Sequence, residues 1–498
     1  MIEKRPLKDL MNQILVEDEA ESFPSEALEF IDQGILEGFI PTSLGGKMGS
    51  VTDTLHMGRL LSRRNLTTAI ALGQTLLGSL PVWLYGTSEQ KNALVKVLKN
   101  KGLNCLALTE EVNGSDLSKT SVSDQAGLIS GRKWCINNAT RGSALSVLTV
   151  NERQVLNVHF INKTTPYEGS FKNIEKLKTL GIRGADISGI EFNEFFQENS
   201  LIGKPGQGLE IILKTMQISR LLCASFSLGA SDTTLRRAYE FAEKRVLYGK
   251  PIIEMPAVRA KLDSCFQDLL LIEAFSLICT RLVTLQSEVM SLYSAFSKFY
   301  TTKIADSIIQ RATEVLGARF YIRDSEFGIT QKMMRDHRVV SLFDGNSDVN
   351  VGIIAGQIKR LQNIGELKAD AKAIFTMKNK EPDFTGSEGL KLTNRGRDII
   401  WETVAHYSFT GNSIQVSKEL LAHREEIFKA LSTVTDMQSS EAIELVHSFT
   451  ALTFEANYFL FKYFNEADFS WDVREEELPL KLVQGKFLLS HFKTEIND

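Results

Sequence analysis

One carboxylate in this chain lies in a sequence context that suits a general base. Asp344 belongs to a segment, the fourth in chain order of those considered below, that begins with Arg335-Asp336 and ends with the run Phe-Asp-Gly-Asn-Ser at residues 343–347. A positioned carboxylate can remove a proton from a carbon acid. An Asp-Gly pair alone is most often a turn, because both residue types favour sharp backbone conformations. Asp344 is therefore a candidate base whose assignment depends on the segments around it.

A second segment, closer to the N-terminus, combines backbone donors with hydroxyl groups. The run Leu-Ala-Leu-Thr-Glu at residues 106–110 leads to Gly114, Ser115 and Asp116. A turn of this composition offers N–H and hydroxyl groups to a phosphate that approaches the backbone. By itself the same pattern also fits an ordinary capped turn.

Two other segments carry a side-chain amide and a guanidinium group. The first is Gly-Arg-Lys-Trp-Cys-Ile-Asn-Asn at residues 131–138, where Asn137 can donate a hydrogen bond. The second runs from Ala242 through Arg245 to Tyr248 and Pro251. The fork of Arg245 suits a pyrophosphate, although a cation at a helix end is most often only solvated.

The elements that must position these residues follow a simple order along the chain. Helical periodicity dominates residues 1–104, and short β-prone runs separated by Asn, Asp and Gly dominate residues 105–205. Residues 206–364 return to helical spacing. A polar stretch at 377–396 is interpreted as a linker within a C-terminal helical extension, residues 365–498. The sequence thus predicts four domains: N-terminal helical, middle β, helical bundle and C-terminal helical.

Two helical stripes define faces that we expect to be buried. Both step by four and three residues, as one face of an amphipathic helix does. The first stripe contains Ala224, Leu228, Ser231, Leu235, Ala238 and Ala242, and the second contains Leu445, Phe449, Leu452, Ala456, Phe459 and Tyr463.

Composition and charge narrow the class of protein. The chain has 498 residues, of which 43% are hydrophobic and 24% charged, with a net charge of −4. The sequence has no basic tract that would suggest nucleic-acid binding. Because it has no long apolar run, we also expect no membrane-spanning helix and no signal peptide. The five cysteines form no CxxC pair, and no zinc-ligand spacing occurs. We expect a cytoplasmic protein without a metal site.

In order and spacing, the four segments together resemble the signature segments of the acyl-CoA dehydrogenase family. The resemblance covers about residues 34–356. It implies a mostly α fold with a small central β-domain between a helical N-terminal domain and a helical bundle, plus an additional C-terminal helical module. It also implies an FAD-dependent enzyme that desaturates an acyl thioester, carried by CoA or an acyl carrier protein, as in fatty acid metabolism. In that reaction the base removes the α-proton while the β-hydride passes to flavin N5.

The resemblance assigns roles to particular residues of this chain. Asp344 takes the position of the catalytic base, which is usually Glu in the family. The residues implied to bind FAD are Leu108, Thr109, Gly114, Ser115, Trp134, Asn137, Arg245, Tyr248, Gly317, Asn346 and Asp348. The residues implied to bind substrate are Ser115, Arg220 and Gly345.

Several positions depart from the family pattern. Asp344 reaches roughly 1.5 Å less far than Glu would, and a misplacement of about 1 Å can reduce a rate roughly 100-fold. Some members carry the base before the Arg of the long helix instead, but Ser219 stands there. Cys135 replaces an aromatic residue and Asn137 a hydroxyl residue beside the flavin. Pro256, Glu314 and Asp348 stand at three positions where Gln is frequent.

Three functions stay open at this point. The first is the acyl-thioester dehydrogenase, with an electron acceptor such as an electron-transfer flavoprotein. The second is a flavin oxidase of the nitroalkane-oxidase type, since those enzymes resemble the family and use an Asp base. The third is an inactive partner subunit that keeps the fold. Because Arg245 is implied to reach the FAD of a neighbouring subunit, we expect a homodimer or tetramer.

Overall fold

A computed structural model of the chain describes residues 7–323, 325–386 and 389–465. Its first part is helical, as the sequence predicts. The helices are α1 (Leu7–Glu19), α2 (Ser25–Asp32), α3 (Val51–Arg64), α4 (Leu66–Tyr85) and α5 (Ser88–Lys99).

Helix α4 is the central element of this part. All of its residues except Gln74 and Tyr85 are buried, because its sequence is apolar or small on every face. Asn65 caps the helix by accepting a hydrogen bond from the backbone N–H of Thr67 at 3.1 Å. At Gly78 a Cβ atom would lie 2.4 Å from the backbone of Cys105, so only glycine permits this close packing on the first strand.

A seven-stranded sheet follows, in the part of the chain that the sequence predicts as a β-domain. Its strands are β1 (Asn104–Ala107), β2 (Ser123–Gln125), β3 (Leu128–Asn137), β4 (Ala144–Val150), β5 (Leu156–Asn162), β6 (Glu168–Ile174) and β7 (Ile187–Phe196). The order is β1-β4-β2-β3-β7-β6, with β5 paired to β4. β1 and β4 are parallel, and β3 and β7 are antiparallel. The mostly exposed β6 forms one edge.

The third part is a bundle built around one long helix. Its elements are α6 (Gly208–Lys244), the hairpin β8 (Val246–Leu247) and β9 (Lys250–Pro251), α7 (Pro256–Leu285), α8 (Met290–Phe296), α9 (Thr302–Leu316), α10 (Ala318–Tyr321), α11 (Gly328–His337) and α12 (Ser347–Ile358). A π-helical turn, Ser297–Thr301, joins α8 to α9. The stripe predicted on α6, from Ala224 to Ala242, is buried as expected.

The C-terminal module packs on this bundle. Its described helices are α13 (Ala371–Phe375), α14 (Ile399–His406), α15 (Ser413–Thr433) and α16 (Ser440–Asn465). The ring of Phe454 on α16 stacks on Phe275 of α7 with centroids 3.7 Å apart, and Phe449 contacts Phe296 of α8. Of the stripe predicted on this helix, Phe449, Leu452 and Ala456 are buried, whereas Leu445, Phe459 and Tyr463 are only partly buried. The part of the extension after residue 465 lies outside the described residues.

Between α13 and α14 the chain forms an irregular segment, and we call its residues 376–386 the strap. The sequence interpretation of a linker fits its lack of helix or strand. The strap is nevertheless fixed to the N-terminal helices, because the backbone N–H of Phe384 donates to the carbonyl of Gly49 at 2.6 Å. Phe384 is only 2% exposed.

In the part of the chain that the structure describes, two helices have the length and composition of a membrane span. They are α4 and α6, and 94% and 83% of their most apolar windows are buried within the protein. Burial of this kind is expected of core helices in a large domain.

Candidate active site

Asp344 lies at a sharp turn immediately before α12. Its φ angle is 57° and that of Gly345 is 81°, so two successive residues adopt left-handed backbone conformations. A Cβ atom on Gly345 would approach the guanidinium group of Arg220 to 3.3 Å. Glycine therefore permits the turn that directs Asp344 toward α6.

The long helix α6 supplies the groups nearest to Asp344. The thiol of Cys223 donates to Asp344 Oδ2 at 3.6 Å, and Arg220 Nε donates to the Asp344 carbonyl at 3.3 Å. Cys223 and Arg220 are both buried. The hydroxyl of Ser219 is also buried beside Asp344, where it favours the charged form of that carboxyl group.

The electrostatic environment of Asp344 favours a stronger base than an exposed Asp. Burial raises the pKa of Asp344, and the nearby positive charges of Lys298 and Arg220 oppose that rise. Burial also lowers the pKa of Arg220 to about 10. The net result is a carboxylate with increased proton affinity between two cations.

Lys298 is a member of this site that the sequence analysis missed. It lies on the π-helical turn and is 1% exposed. Its Nζ atom donates to the Val340 carbonyl and lies 4.9 Å from the centroid of the Phe343 ring. Lys298 thus holds the residues that immediately precede Asp344. The available sequence signal was a single charge in the otherwise apolar and polar-neutral run 289–302.

The segment containing Leu108 and Thr109 is held against β3. The Trp134 N–H donates to the Thr109 carbonyl at 2.9 Å, and Lys133 Nζ donates to the Leu108 carbonyl at 3.0 Å. Lys133 also pairs with Glu110 at 2.7 Å, and both side chains are buried. The structure therefore brings Leu108, Thr109 and Trp134 together.

Burial alone would raise the pKa of Glu110, but hydrogen bonds from Lys133 and Ser121 lower it to about 2. The Glu110–Lys133 pair is consequently charged at neutral pH. It was also missed from the sequence, where Glu110 and Lys133 were read only as members of their segments.

Asn137 lies at the end of β3, where the strand turns toward α4. Its side-chain oxygen is buried and has no hydrogen-bond partner among the described residues. The neighbouring Asn138 donates from Nδ2 to the Ala71 carbonyl of α4 at 2.7 Å. Cys135 adopts a φ of 57° at a register shift between β3 and β7, and it is exposed.

The remaining predicted cofactor residues on this side are more exposed. Gly114, with a φ of 43°, and Ser115 lie on the exposed loop between β1 and β2. Asn346 Oδ1 accepts a hydrogen bond from the Val349 N–H at 2.9 Å and so caps α12. Asp348 is exposed in the first turn of α12.

Arg245, Tyr248 and Gly317 lie at the far end of the bundle. Arg245 comes 22 residues after Cys223 along α6, which corresponds to about 33 Å. Tyr248 is 95% exposed at the tip of the β8–β9 hairpin. Gly317 ends α9 near the same end, because Lys261 at the start of α7 pairs with Glu314 at 2.5 Å. These three residues do not meet Asp344 within one chain.

The Arg-Asp pair at the start of the fourth segment has a structural role. Arg335 pairs with Asp18 at 2.6 Å. Asp336 accepts hydrogen bonds from the Ile182 N–H at 2.6 Å and from Thr67 Oγ1 at 3.0 Å. These contacts fix α11 to helices α1 and α4 and to the loop before β7, and they thereby position the turn that follows.

Several known proteins are similar to this chain in sequence. The family model for the acyl-CoA dehydrogenase C-terminal domain matches residues 206–359. The short-chain specific acyl-CoA dehydrogenase of Homo sapiens mitochondria is 27% identical over 343 residues, which are 66% of this chain and 80% of that protein. The CarC subunit of the caffeyl-CoA reductase–Etf complex of Acetobacterium woodii is 26% identical over 370 residues, covering 70% of this chain and 94% of that subunit.

A solved structure extends the similarity to the C-terminal module. The acyl-CoA dehydrogenase of Bacillus anthracis, solved with FAD, has a TM-score of 0.73 and 18% sequence identity. The match covers 99% of this chain and 84% of that one. The predicted fold class is confirmed, and the helices after the bundle are part of the shared architecture.

Proposed function

Because the chain belongs to the acyl-CoA dehydrogenase family, we propose that it uses FAD to desaturate an acyl thioester between Cα and Cβ. The observation that carries this proposal is Asp344. Its carboxylate is turned toward α6 by two left-handed residues, lies beside buried Arg220 and Cys223, and has a pKa raised by burial.

The chain supplies the proton acceptor and a means to acidify the substrate. Asp344 takes the α-proton and becomes neutral. No backbone acceptor is present for the N–H groups of Asp344 and Gly345 among the described residues, so both can donate to the thioester carbonyl. Such donors stabilise the negative charge that develops on the carbonyl oxygen as the α-proton leaves.

The residues around β3 fit a flavin. The buried side-chain oxygen of Asn137 has no partner, and its amide can meet a ring heteroatom. Thr109 is half-buried on the segment that follows β1, where its carbonyl accepts a hydrogen bond from the backbone N–H of Trp134, and its hydroxyl is the group we assign to the flavin. When bound, FAD supplies the acceptor for the hydride from Cβ.

We further propose that each flavin contacts two subunits. Arg245 and Tyr248 are exposed about 33 Å along α6 from the base. A second copy of the chain would bring this hairpin to the flavin of its partner, where the Arg245 fork suits a pyrophosphate. A homodimer or tetramer is the resulting assembly.

The names of the relatives indicate which thioester carrier and which electron acceptor to propose for this chain. The human relative is named for short-chain acyl-CoA, and the Acetobacterium subunit belongs to a complex with Etf. We propose CoA as the first carrier to test, an acyl carrier protein as the second, and an electron-transfer flavoprotein as the acceptor. All five cysteines are unpaired, which supports a reducing compartment such as the cytoplasm.

The test is anaerobic titration of the purified protein with saturated acyl-CoA and acyl-carrier-protein thioesters. The bound flavin should bleach with at least one of them. Asp344→Asn should keep its flavin while the bleaching rate falls by about 10²- to 10⁴-fold. Asp436→Asn, an exposed Asp on the turn before α16, is the matched control and should bleach at the wild-type rate.

The same experiment separates the other functions. Asp344 as the base also favours a nitroalkane oxidase as second candidate, and rapid reoxidation by oxygen with peroxide release would support it. Flavin that no thioester or nitroalkane reduces would identify a non-catalytic subunit. Wild-type bleaching by Asp344→Asn would show that another group removes the proton.

A further inference from the structure

The strap brings a residue of the C-terminal module into the N-terminal helices. Arg281 of α7 donates to the carbonyl of Asn379 at 3.0 Å, and Thr52 of α3 donates to Glu381 at 2.5 Å. Thr42 donates to Asp383 at 2.9 Å. These contacts fix the strap on both sides and leave the Phe384 side chain directed inward.

Phe384 fills an apolar cavity among three helices. The cavity retains a volume of only about 10 Å³. Its lining includes Leu55 of α3, Leu76 and Leu80 of α4, and Ile218 and Leu222 of α6, together with Phe384. This remaining space is too small for more than about one water molecule. Without the phenyl ring it would be a substantial hydrophobic chamber.

The cavity is lined by the same stretch of α6 that supplies the neighbours of Asp344. Leu222 precedes Cys223, whose thiol contacts Asp344, and Ile218 precedes Ser219. On α4, Leu76 follows Ala71 by five residues, or about 7.5 Å, and the Ala71 carbonyl holds Asn138 at the end of β3. The cavity is therefore within about two helical turns of both the base and the flavin-binding strand.

We propose that Phe384 sets the acyl chain length by forming the end wall of the acyl-binding cavity. This inference rests on the proposed function, since it requires an acyl group whose α-carbon lies at Asp344. A chain extending from that carbon between α4 and α6 meets the phenyl ring. The wild-type protein is thus specific for short acyl groups, and the specificity comes from a segment outside the bundle and the N-terminal helices.

The test compares butyryl and octanoyl thioesters on whichever carrier bleaches the wild-type flavin. One additional methylene in an apolar pocket is worth about 10-fold or more in specificity. Phe384→Ala should therefore raise the octanoyl-to-butyryl ratio of kcat/KM at least about 10-fold. Binding of the same thioesters in an Asp344→Asn background, measured by calorimetry, should show the same change in preference without turnover.

Phe375→Ala is the matched control. Phe375 is a fully buried Phe of α13 that stacks on Phe464, away from this cavity. Its removal should destabilise the protein without changing the length preference. Phe384→Leu, which removes fewer atoms, provides a second variant in case the Ala variant does not fold, and it should shift the preference in the same direction.

Two results would overturn the inference alone: a wild-type protein that uses both lengths equally, or a flavin-loaded Phe384 variant with an unchanged ratio. If neither protein binds any acyl thioester while flavin is present, the proposed function falls as well. A preference that shifts equally in Phe375→Ala would assign the effect to general loosening.

Discussion

Asp344 occupies a backbone conformation that suits its residue type. A left-handed φ of 57° is unfavourable for most side chains, but Asp and Asn tolerate it because their short polar groups interact locally. The turn therefore directs the Asp344 carboxyl group toward Cys223 of α6. A Glu at this position would reach further but would add strain of roughly 1 kcal/mol.

Lys298 affects the pKa of Asp344. The positive charge of Lys298 opposes the rise that burial causes in the pKa of Asp344. Lys298→Met should therefore raise that pKa, so that Asp344 becomes protonated at a higher pH. The acidic limb of the kcat/KM profile should therefore move to higher pH.

Lys303→Met is the control for this change. Lys303 lies five residues after Lys298 and is exposed, so its variant should keep the wild-type profile. If the Lys298→Met protein is folded and flavin-loaded but its acidic limb does not shift, then the role of Lys298 is limited to its hydrogen bond to the Val340 carbonyl.

At the scale of elements, the strap contains a buried carboxylate. Glu381 is 9% exposed and accepts hydrogen bonds from Thr52 and Thr284. Burial raises the pKa of Glu381 to about 7, above its ordinary value of 4.5. Between pH 4.5 and about pH 7, Glu381 is therefore protonated in the folded protein but mostly deprotonated in the unfolded chain.

Stability should consequently decrease as the pH rises. The contribution of this proton is complete below pH 4.5 and is lost as the pH passes the folded-state value of about 7. Its size is at most about 3 kcal/mol. Denaturant unfolding should show a decrease between about pH 5 and pH 8 that Glu381→Gln removes.

Asp383→Asn makes the equivalent change two residues later at an exposed position, and it should leave the pH slope intact. A wild-type slope in Glu381→Gln would mean that another group carries the effect.

At the scale of the whole molecule, the proposed flavin site requires Arg245 from a second copy of the chain. Arg245→Ala should weaken FAD binding by about 10- to 100-fold, the value of a hydrogen bond to a charged group. Lys244→Ala removes an equally exposed cation from the preceding residue and should retain flavin. Flavin per subunit and the dissociation constant on titration provide the measurement.

A flavin-loaded monomer at micromolar concentration, by light scattering, would contradict the shared site. So would an Arg245→Ala protein with wild-type FAD affinity.

Much of the fold was predictable because local patterns determine it. The stripe on α6 and the β-prone runs appear in the sequence at the spacing that burial requires. Asp344 was found because its segment carries a recognisable pattern. Lys298 and Phe384 were not, because their contacts depend on tertiary packing between distant segments. Phe384 meets Leu76 across more than 300 residues, and no local pattern encodes such a contact.

The strap also has a consequence for the order of biosynthesis. Ribosomes release the N-terminal part of a chain first, and domains generally fold in that order. The helices α3, α4 and α6 leave the ribosome before Phe384, which lines the cavity between them. If these helices pack together in that order, we expect the apolar cavity to stay open until translation has passed residue 384.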